Sequence, residues 1–437
     1  MRLFKVKLAI CIIQVQASLF DFNERISVIA TTDNNNSNPS KITSYQKKTL
    51  FASTTGYALD GLDMMILAFC LPMITKFFNL DEGQSGFLGT VTLFGAVIGG
   101  IGFGILADKF GRVRVFSWTI IIFSIFTGLC AISPDYETFG LFRFLSGLGL
   151  GGEFGIGMTL VSETWSKQYR SRATAIVAVG FQAGIIMATL AVYFIAPHWG
   201  WQGVFFAGVL PALFVAWTRK NLEEPEIWLE LKRQNKNTIA IHKLFQNKRI
   251  TAITIGLIIA CTVQNFGFYG IMMWMPTMLA NELELPFKGT TLWTISTTFG
   301  MAAGILVFGW LCDKIGRRPS YIAFLVIAAA SIWIYFQQRD ITVLIIFGSA
   351  LGFFVNGMMG GYGALLAEHY PTDVRSTAEN VIFNIGRAIA GLAPWLIGLI
   401  AKDYSLSYAL GLLSGVYIIS ALAFIFLIPE TKGKSLE

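Results

Sequence analysis

Charge is scarce in this 437-residue chain: Asp, Glu, Lys and Arg make up 14% of it, against 54% hydrophobic residues and a mean hydropathy of +0.61. So little charge cannot clothe a protein of this size in water, which excludes a string of soluble domains and leaves lipid as the main solvent. Histidine is rarer still. His198, His242 and His369 are scattered, and there is no P-loop, nucleophile elbow or zinc-ligand set, so the chain is not expected to be an enzyme or to hold a metal or cofactor. Of five cysteines, Cys70, Cys130, Cys261 and Cys312 fall inside or at the ends of apolar runs without CxxC spacing. That excludes a disulfide framework and a thiolate metal site.

What the chain has in abundance is apolar runs long enough to cross a hydrocarbon core, which takes about 20 helical residues. They fall near 50–75, 85–107, 114–133, 138–162, 173–196 and 201–218, then 251–280, 291–312, 320–337, 341–366, 376–401 and 406–428. Twelve transmembrane helices are therefore expected in an all-α membrane protein. Residues 1–30 resemble a short basic and apolar leader, and 31–49 read as a disordered polar tail. The cytoplasmic lysines Lys47 and Lys48 ahead of the first span argue against a cleaved signal.

The net charge of +7 is topogenic. Counting alternate loops as cytoplasmic, 23 Lys and Arg lie on one side and only Lys76, Lys288, Arg339 and Lys402 on the other. This asymmetry predicts both termini in the cytoplasm, an even number of spans and no nucleic-acid partner.

An internal duplication organises the chain. At an offset of 205 residues, Gly104-Ile-Leu-Ala-Asp108-Lys-Phe-Gly111-Arg112 matches Gly309-Trp-Leu-Cys-Asp313-Lys-Ile-Gly316-Arg317. The same shift carries Gly147 to Gly352, Glu163 to Glu368, Arg170 to Arg375 and Ser171 to Ser376. Six spans per copy is an even number, so the copies share one orientation and enclose a cavity between two six-helix bundles. The expected layout is a tail over 1–49, bundles over 50–218 and 251–428, a cytoplasmic linker over 219–250 and a tail over 429–437.

The motif GxLxDxxGR, present twice, resembles the loop between the second and third spans of the major facilitator superfamily, with its weaker copy between the eighth and ninth. The resemblance implies that Asp108, Gly111, Arg112, Asp313 and Arg317 form a cytoplasmic latch that stabilises an outward-open state, with Glu163, Arg170, Glu368 and Arg375 as partners. Read plainly, the same residues are loop charges. Glycine permits close helix approach, and aspartate can accept from helix N-terminal amides.

Ionised groups at mid-membrane cost roughly 2.5 to 3.5 kcal/mol even on the lenient insertion scale and mark function by default. Asp60 and Asp63 share one face of the first span; Arg143 and Glu153 lie in the fourth; Arg387 lies eleven residues past Ser376 in the eleventh. Under the 205-residue shift they become Asn265, Phe268, Gly348, Met358 and Gln182, so one half carries acids and the other a cation. The expectation is that Arg387 binds a carboxylate solute while Asp60, Asp63 or Glu153 carries a coupling proton, with Arg143 beside them. The plain alternative is a structural Arg143–Glu153 pair, with Arg387 merely paired to an acid. Gln182, Asn265, Asn384 and Asn356 add polar groups to the cavity or bond helices together.

The strings ALDGLDMMILAF, RFLSGLGLGGEFG, EHYPTDVRSTAENVIFNIGR and EEPEIWLE resemble the sialate, nicotinate and metabolite:proton symporters of that superfamily. The tail PETKGKSLE is similar to sugar porters, but CTVQNFGFYG lacks their paired glutamine and the fifth span lacks QLxIxxG. Proton-coupled uptake of an organic anion by a monomer is the leading reading; sugar or polyol symport and efflux are the alternatives. Gly147, Gly149 and Gly152 fit a dinucleotide fingerprint, yet no strand precedes them. A receptor on a transporter scaffold is expected to add a long tail, and the residues after Pro429 are too few for one.

Overall fold

The computed structural model describes residues 42–80, 82–219, 222–233, 241–281, 284 and 287–434. The expected leader and most of the expected N-terminal tail lie outside them. The end of that tail is helical, because α1 runs over Ser44–Phe78, several residues earlier than hydropathy indicated. Polar residues there extend the helix beyond the apolar run that marks the span.

The remaining elements are α2 (Glu82–Phe110), α3 (Arg112–Cys130), α4 (Tyr136–Thr164), α5 (Arg170–Arg219), α6 (Glu226–Arg233) and a 3-10 turn (Ile241–Phe245). Then come α7 (Lys248–Asn281), α8 (Phe287–Ile315), α9 (Arg317–Tyr335), α10 (Ile341–Gly357), α11 (Met359–Ala367), α12 (Arg375–Ala390), α13 (Ala393–Asp403), α14 (Leu406–Gly411) and α15 (Leu413–Phe426). Among the described residues eleven helical runs are long and apolar enough to cross a membrane. The twelfth is contained in α5. Its 50 residues are interrupted at Gly200, whose φ of 62° and ψ of −169° no helix can hold. Glycine tolerates that conformation, and the chain folds there into two passes.

The duplication is visible at the helix starts. Asp135 caps α4 by accepting from the Thr138 amide at 2.7 Å, and Asp340 caps α10 by accepting from the Val343 amide at 3.0 Å. The amide bond holds the exposed Asp135 carboxyl below the usual carboxylate range. Gly111 and Gly316 begin α3 and α9 with φ of 116° and 114°, a region closed to other side chains.

Helices from the two copies meet where α2, α4 and α5 pack against α8, α11 and α12. At this seam Phe154 of α4 stacks on Phe383 of α12 with centroids 3.8 Å apart. Large apolar side chains such as Phe94, Phe299 and Phe426 stand exposed on the outside. A water-soluble protein would bury them; here they face the thickness that hydrocarbon fills.

Candidate functional site

A small central cavity is lined by Arg387, Tyr57, Phe181, Gln182, Gln264, Asn265, Phe268, Tyr269, Asn356 and Phe383, among others. Four of the five solute-binding candidates named from sequence therefore share one wall: Arg387, Gln182, Asn265 and Asn356. The fifth, Asn384, does not. Its amide donates to Gly151 O at 3.2 Å and Asn380 O at 2.9 Å, which ties α12 to α4. The space enclosed is about 30 Å³, room for a water or two and too small for a metabolite. A solute must displace these walls to enter.

Arg387, on α12, is buried. Its Nε donates to the Tyr269 hydroxyl at 3.1 Å, its Nη2 lies 2.9 Å from Met64 Sδ, and Asp60 Oδ2 is 3.7 Å from Nη2. Such a distance is an ion pair without a hydrogen bond. Neither Asp60 oxygen has a hydrogen-bond partner although the residue is fully buried. Met64 and Tyr269 are counterparts under the 205-residue shift, so the arginine is gripped from both copies by equivalent positions. Gln264 donates to Asn356 Oδ1 at 2.9 Å, while its own oxygen and that of Gln182 accept nothing.

Asp63 and Asp60 go to different partners. Arg143 Nη1 reaches Asp63 at 2.9 Å (Oδ2) and 3.1 Å (Oδ1), and Thr127 donates to Oδ1 at 2.6 Å. Arg143 Nε also donates to Thr92 Oγ1 at 3.2 Å. The structural pair is thus Arg143–Asp63, in place of the Arg143–Glu153 pair considered from sequence. Glu153 instead accepts from Thr119 Oγ1 at 2.5 Å.

At one end of the bundles the duplicated motif builds two matching ion networks. Arg112 bonds Glu163 through Nε at 3.3 Å and Nη2 at 3.2 Å; Arg317 bonds Glu368 through Nε at 3.1 Å and Nη2 at 2.9 Å. Each glutamate is shared across the seam, Glu163 with Arg375 and Glu368 with Arg170, both at 2.8 Å. Asp108 accepts from the Ser376 and Thr377 amides at 3.3 and 2.7 Å, and Asp313 from the Ser171 and Arg172 amides at 3.3 and 3.1 Å. Each motif aspartate therefore sits on the N-terminus of a helix from the other copy, where the helix dipole favours negative charge. Arg112 adds a bond to Thr372 O at 2.7 Å.

Two caps accompany these networks. Glu224 accepts from the Val113 and Arg114 amides at 3.1 and 3.0 Å, and Glu430 accepts from the Arg317 and Arg318 amides, each at 2.9 Å. Trp228 of α6 donates to Asp108 O at 2.9 Å.

Sequence reasoning did not single out Tyr57, Tyr269, Gln264, Met64 or Glu379. Tyr57 precedes Asp60 by one turn and Tyr269 follows Asn265 by one turn, so helical spacing from the named residues would have found both. Glu379 is fully buried on α12, and the shift takes it to Thr174, the kind of asymmetry that flagged the other charges.

Twelve apolar passes, a duplicated ion network at the seam and a polar cavity between the copies are the features of an alternating-access carrier. The chain belongs to the major facilitator superfamily, whose family model matches residues 54–300 and 290–437. It is a multi-pass membrane transporter of small solutes with the two-bundle fold of that family. Among its relatives, a Haemophilus influenzae protein named for metabolite transport is 47% identical over 405 residues, covering 91% of this chain and 99% of its own. The cis,cis-muconate transport protein of Acinetobacter baylyi is 32% identical over 373 residues, 83% of this chain and 89% of that one. The sialic acid transporter NanX of Escherichia coli is 30% identical over 395 residues, 89% and 95%. In fold the chain is similar to the proton:xylose symporter XylE bound to 6-bromo-6-deoxy-D-glucose, with a TM-score of 0.76 at 19% identity, covering 90% of this chain and 98% of that one.

Proposed function

We propose that this transporter takes up a small organic anion, a carboxylate with a flat apolar body, together with a proton. The observation that carries the reading is the loose Asp60–Arg387 pair beside the cavity. At 3.7 Å the pair lacks a hydrogen bond, so an entering carboxylate offers the guanidinium fork a better-aligned partner. Asp60 then loses its cation and is neutralised by a proton. Solute and proton load together, and the charge of the site is conserved.

The apolar part of the solute meets rings, because Tyr57, Phe181, Phe268, Tyr269 and Phe383 line the same space. Gln182 and Gln264 present acceptors without donors, suited to a hydroxyl or amide on the solute. Two of the relatives are named for acids, muconate and sialic acid, which supports the anion.

The bundles over 50–218 and 251–428 rock about this site, joined by the linker over 219–250. Asp108, Gly111, Arg112, Glu163 and Arg170, with Asp313, Arg317, Glu368 and Arg375, are the latch that holds the cytoplasmic side shut. The 23-to-4 loop charge ratio supports both termini on that side. The bacterial relatives support a place in a cytoplasmic (inner) membrane, where the chain works as a monomer.

Purified protein in liposomes, given radiolabelled benzoate, cis,cis-muconate, N-acetylneuraminate or D-xylose with and without an imposed pH gradient, tests the reading. Saturable, gradient-driven uptake of an acid supports it. Uptake of xylose alone, or uptake indifferent to the gradient, would sink it in favour of sugar transport or uncoupled exchange.

A further inference from the structure

The two latch networks share the same four charges, although Arg172 adds a 3.7 Å ion pair to Asp313 and Thr431 a 2.6 Å hydrogen bond to Glu368 in the second. The first contains the acids Asp108 and Glu163 with the cations Arg112 and Arg375; the second contains Asp313 and Glu368 with Arg317 and Arg170. Each set balances. Beside the first stands one further acid, Glu379, a single turn into α12 from Arg375 and fully buried. Its counterpart under the duplication, Thr174, is neutral and donates to the Arg170 and Gly360 carbonyls at 3.1 and 3.4 Å. The scaffold therefore closes in one copy with no carboxyl at this point.

Glu379 is faced by Arg375 on its own helix, by Glu163 and Thr159 of α4 and by Asp108 of α2. Arg375 is committed to Glu163 Oε1 at 2.8 Å and, through Nε, to Ala367 O at 3.1 Å. Thr159 gives its proton to Gly155 O at 2.9 Å. Neither Glu379 oxygen has a hydrogen-bond partner. A third carboxyl crowded against Asp108 and Glu163, with Arg375 already engaged by Glu163 and the Thr159 hydroxyl as its one other polar neighbour, is tolerated in this seam as the neutral acid.

We propose that Glu379 is a second proton-binding site, which holds a proton while the latch is closed and releases it when α12 parts from α2 and α4. On opening, water reaches the carboxyl; its O–H bond breaks, the proton passes to that water, and the carboxylate is left hydrated. Closing reverses the step. The closed form is favoured at low pH and the open form at high pH, with a limiting slope of about tenfold in the closed-to-open ratio per pH unit for one proton. This inference rests on the latch acting as the gate of the proposed transport cycle. It is separate from Asp60, since Arg387 lies eight residues further along α12, about 12 Å at helical rise.

Lys109 and Lys314 are exposed at the ends of α2 and α8 and are counterparts in the two copies. Spin labels at Lys109→Cys and Lys314→Cys, in protein whose native cysteines are replaced, report the separation of the two sides by pulsed dipolar spectroscopy. The parent is expected to move from short to long distances between about pH 5 and about pH 9. Glu379→Gln should stay short throughout, and Glu379→Asp, which keeps the carboxyl, should retain the response. A parent indifferent to pH, or Glu379→Gln that follows the parent, overturns the proposal. Asp60→Asn should keep the distance response while losing gradient-driven uptake of benzoate or muconate, which separates a failure of this inference from a failure of the central-site reading. Loss of the distance response in Asp60→Asn instead would assign the proton to the central site and overturn the proposal for Glu379.

Discussion

Arg143 clasps Asp63 with one amino group 2.9 Å from Oδ2 and 3.1 Å from Oδ1. One turn earlier on α1, neither Asp60 carboxylate oxygen has a hydrogen-bond partner. Two aspartates on one helical face thus have different surroundings, Asp63 binding α1 to α4 and Asp60 held only by a 3.7 Å ion pair to Arg387.

Asp63→Asn is expected to lower thermal stability markedly, because Arg143 is left buried without its counter-charge, a loss of about 3–5 kcal/mol for a broken buried pair. Asp60→Asn should cost less, because its 3.7 Å pair with Arg387 has no hydrogen bond to lose. Comparing the two by fluorescence-detected size-exclusion after heating distinguishes framework from exchange; equal losses would remove the distinction.

Arg387→Lys keeps the charge but loses the planar fork and the Nε bond to Tyr269. The apparent affinity for carboxylates in a liposome uptake assay should fall about tenfold or more, the worth of one charged hydrogen bond. Unchanged affinity would mean that the anion binds elsewhere.

The shared glutamates couple the copies, so a double-mutant cycle on Glu163→Gln and Arg375→Met should give an interaction energy of about 1–3 kcal/mol. The symmetric cycle on Glu368→Gln and Arg170→Met should be of similar size. The readout is the midpoint of thermal unfolding; additivity within a few tenths of a kcal/mol would show that the ion pairs are idle.

Gly155→Ala would place a methyl 2.3 Å from Asn380 Cγ across the seam, whereas a methyl on Gly102 meets nothing within 4 Å. Gly155→Ala should therefore prop the latch end open and raise thiol labelling of Ala175→Cys, at a site buried at the seam. Gly102→Ala should leave labelling unchanged. Equal labelling in both variants would count against close approach at Gly155.

Hydropathy and the duplicated motif made the twelve passes and the residues of both ion networks legible, because span length and a repeated loop are local properties of the chain. The partner of Arg143 was not legible. Asp63, Glu153 and Thr127 all lie within reach on paper, and only the rotation of α1 against α4 selects among them. Asn384 was open between cavity and interhelical bond for the same reason: three residues before Arg387, it bonds α4. Glu379 was passed over because it lies only four residues beyond Arg375, where a loop charge is the ordinary reading. The break that hydropathy placed between 196 and 201 falls at Gly200, whose backbone conformation interrupts α5.

The caps on α3 and α9 come from stretches that follow each six-helix set: Glu224 stands in Glu-Glu-Pro-Glu and Glu430 in Pro-Glu-Thr-Lys, 206 positions apart. Each six-helix set is thus followed by a stretch that folds back to plug its own Asp-Gly-Arg corner, one in the middle of the chain and one near its end. Shortening either would uncork the corner that it seals, at a distance from every residue that touches cargo.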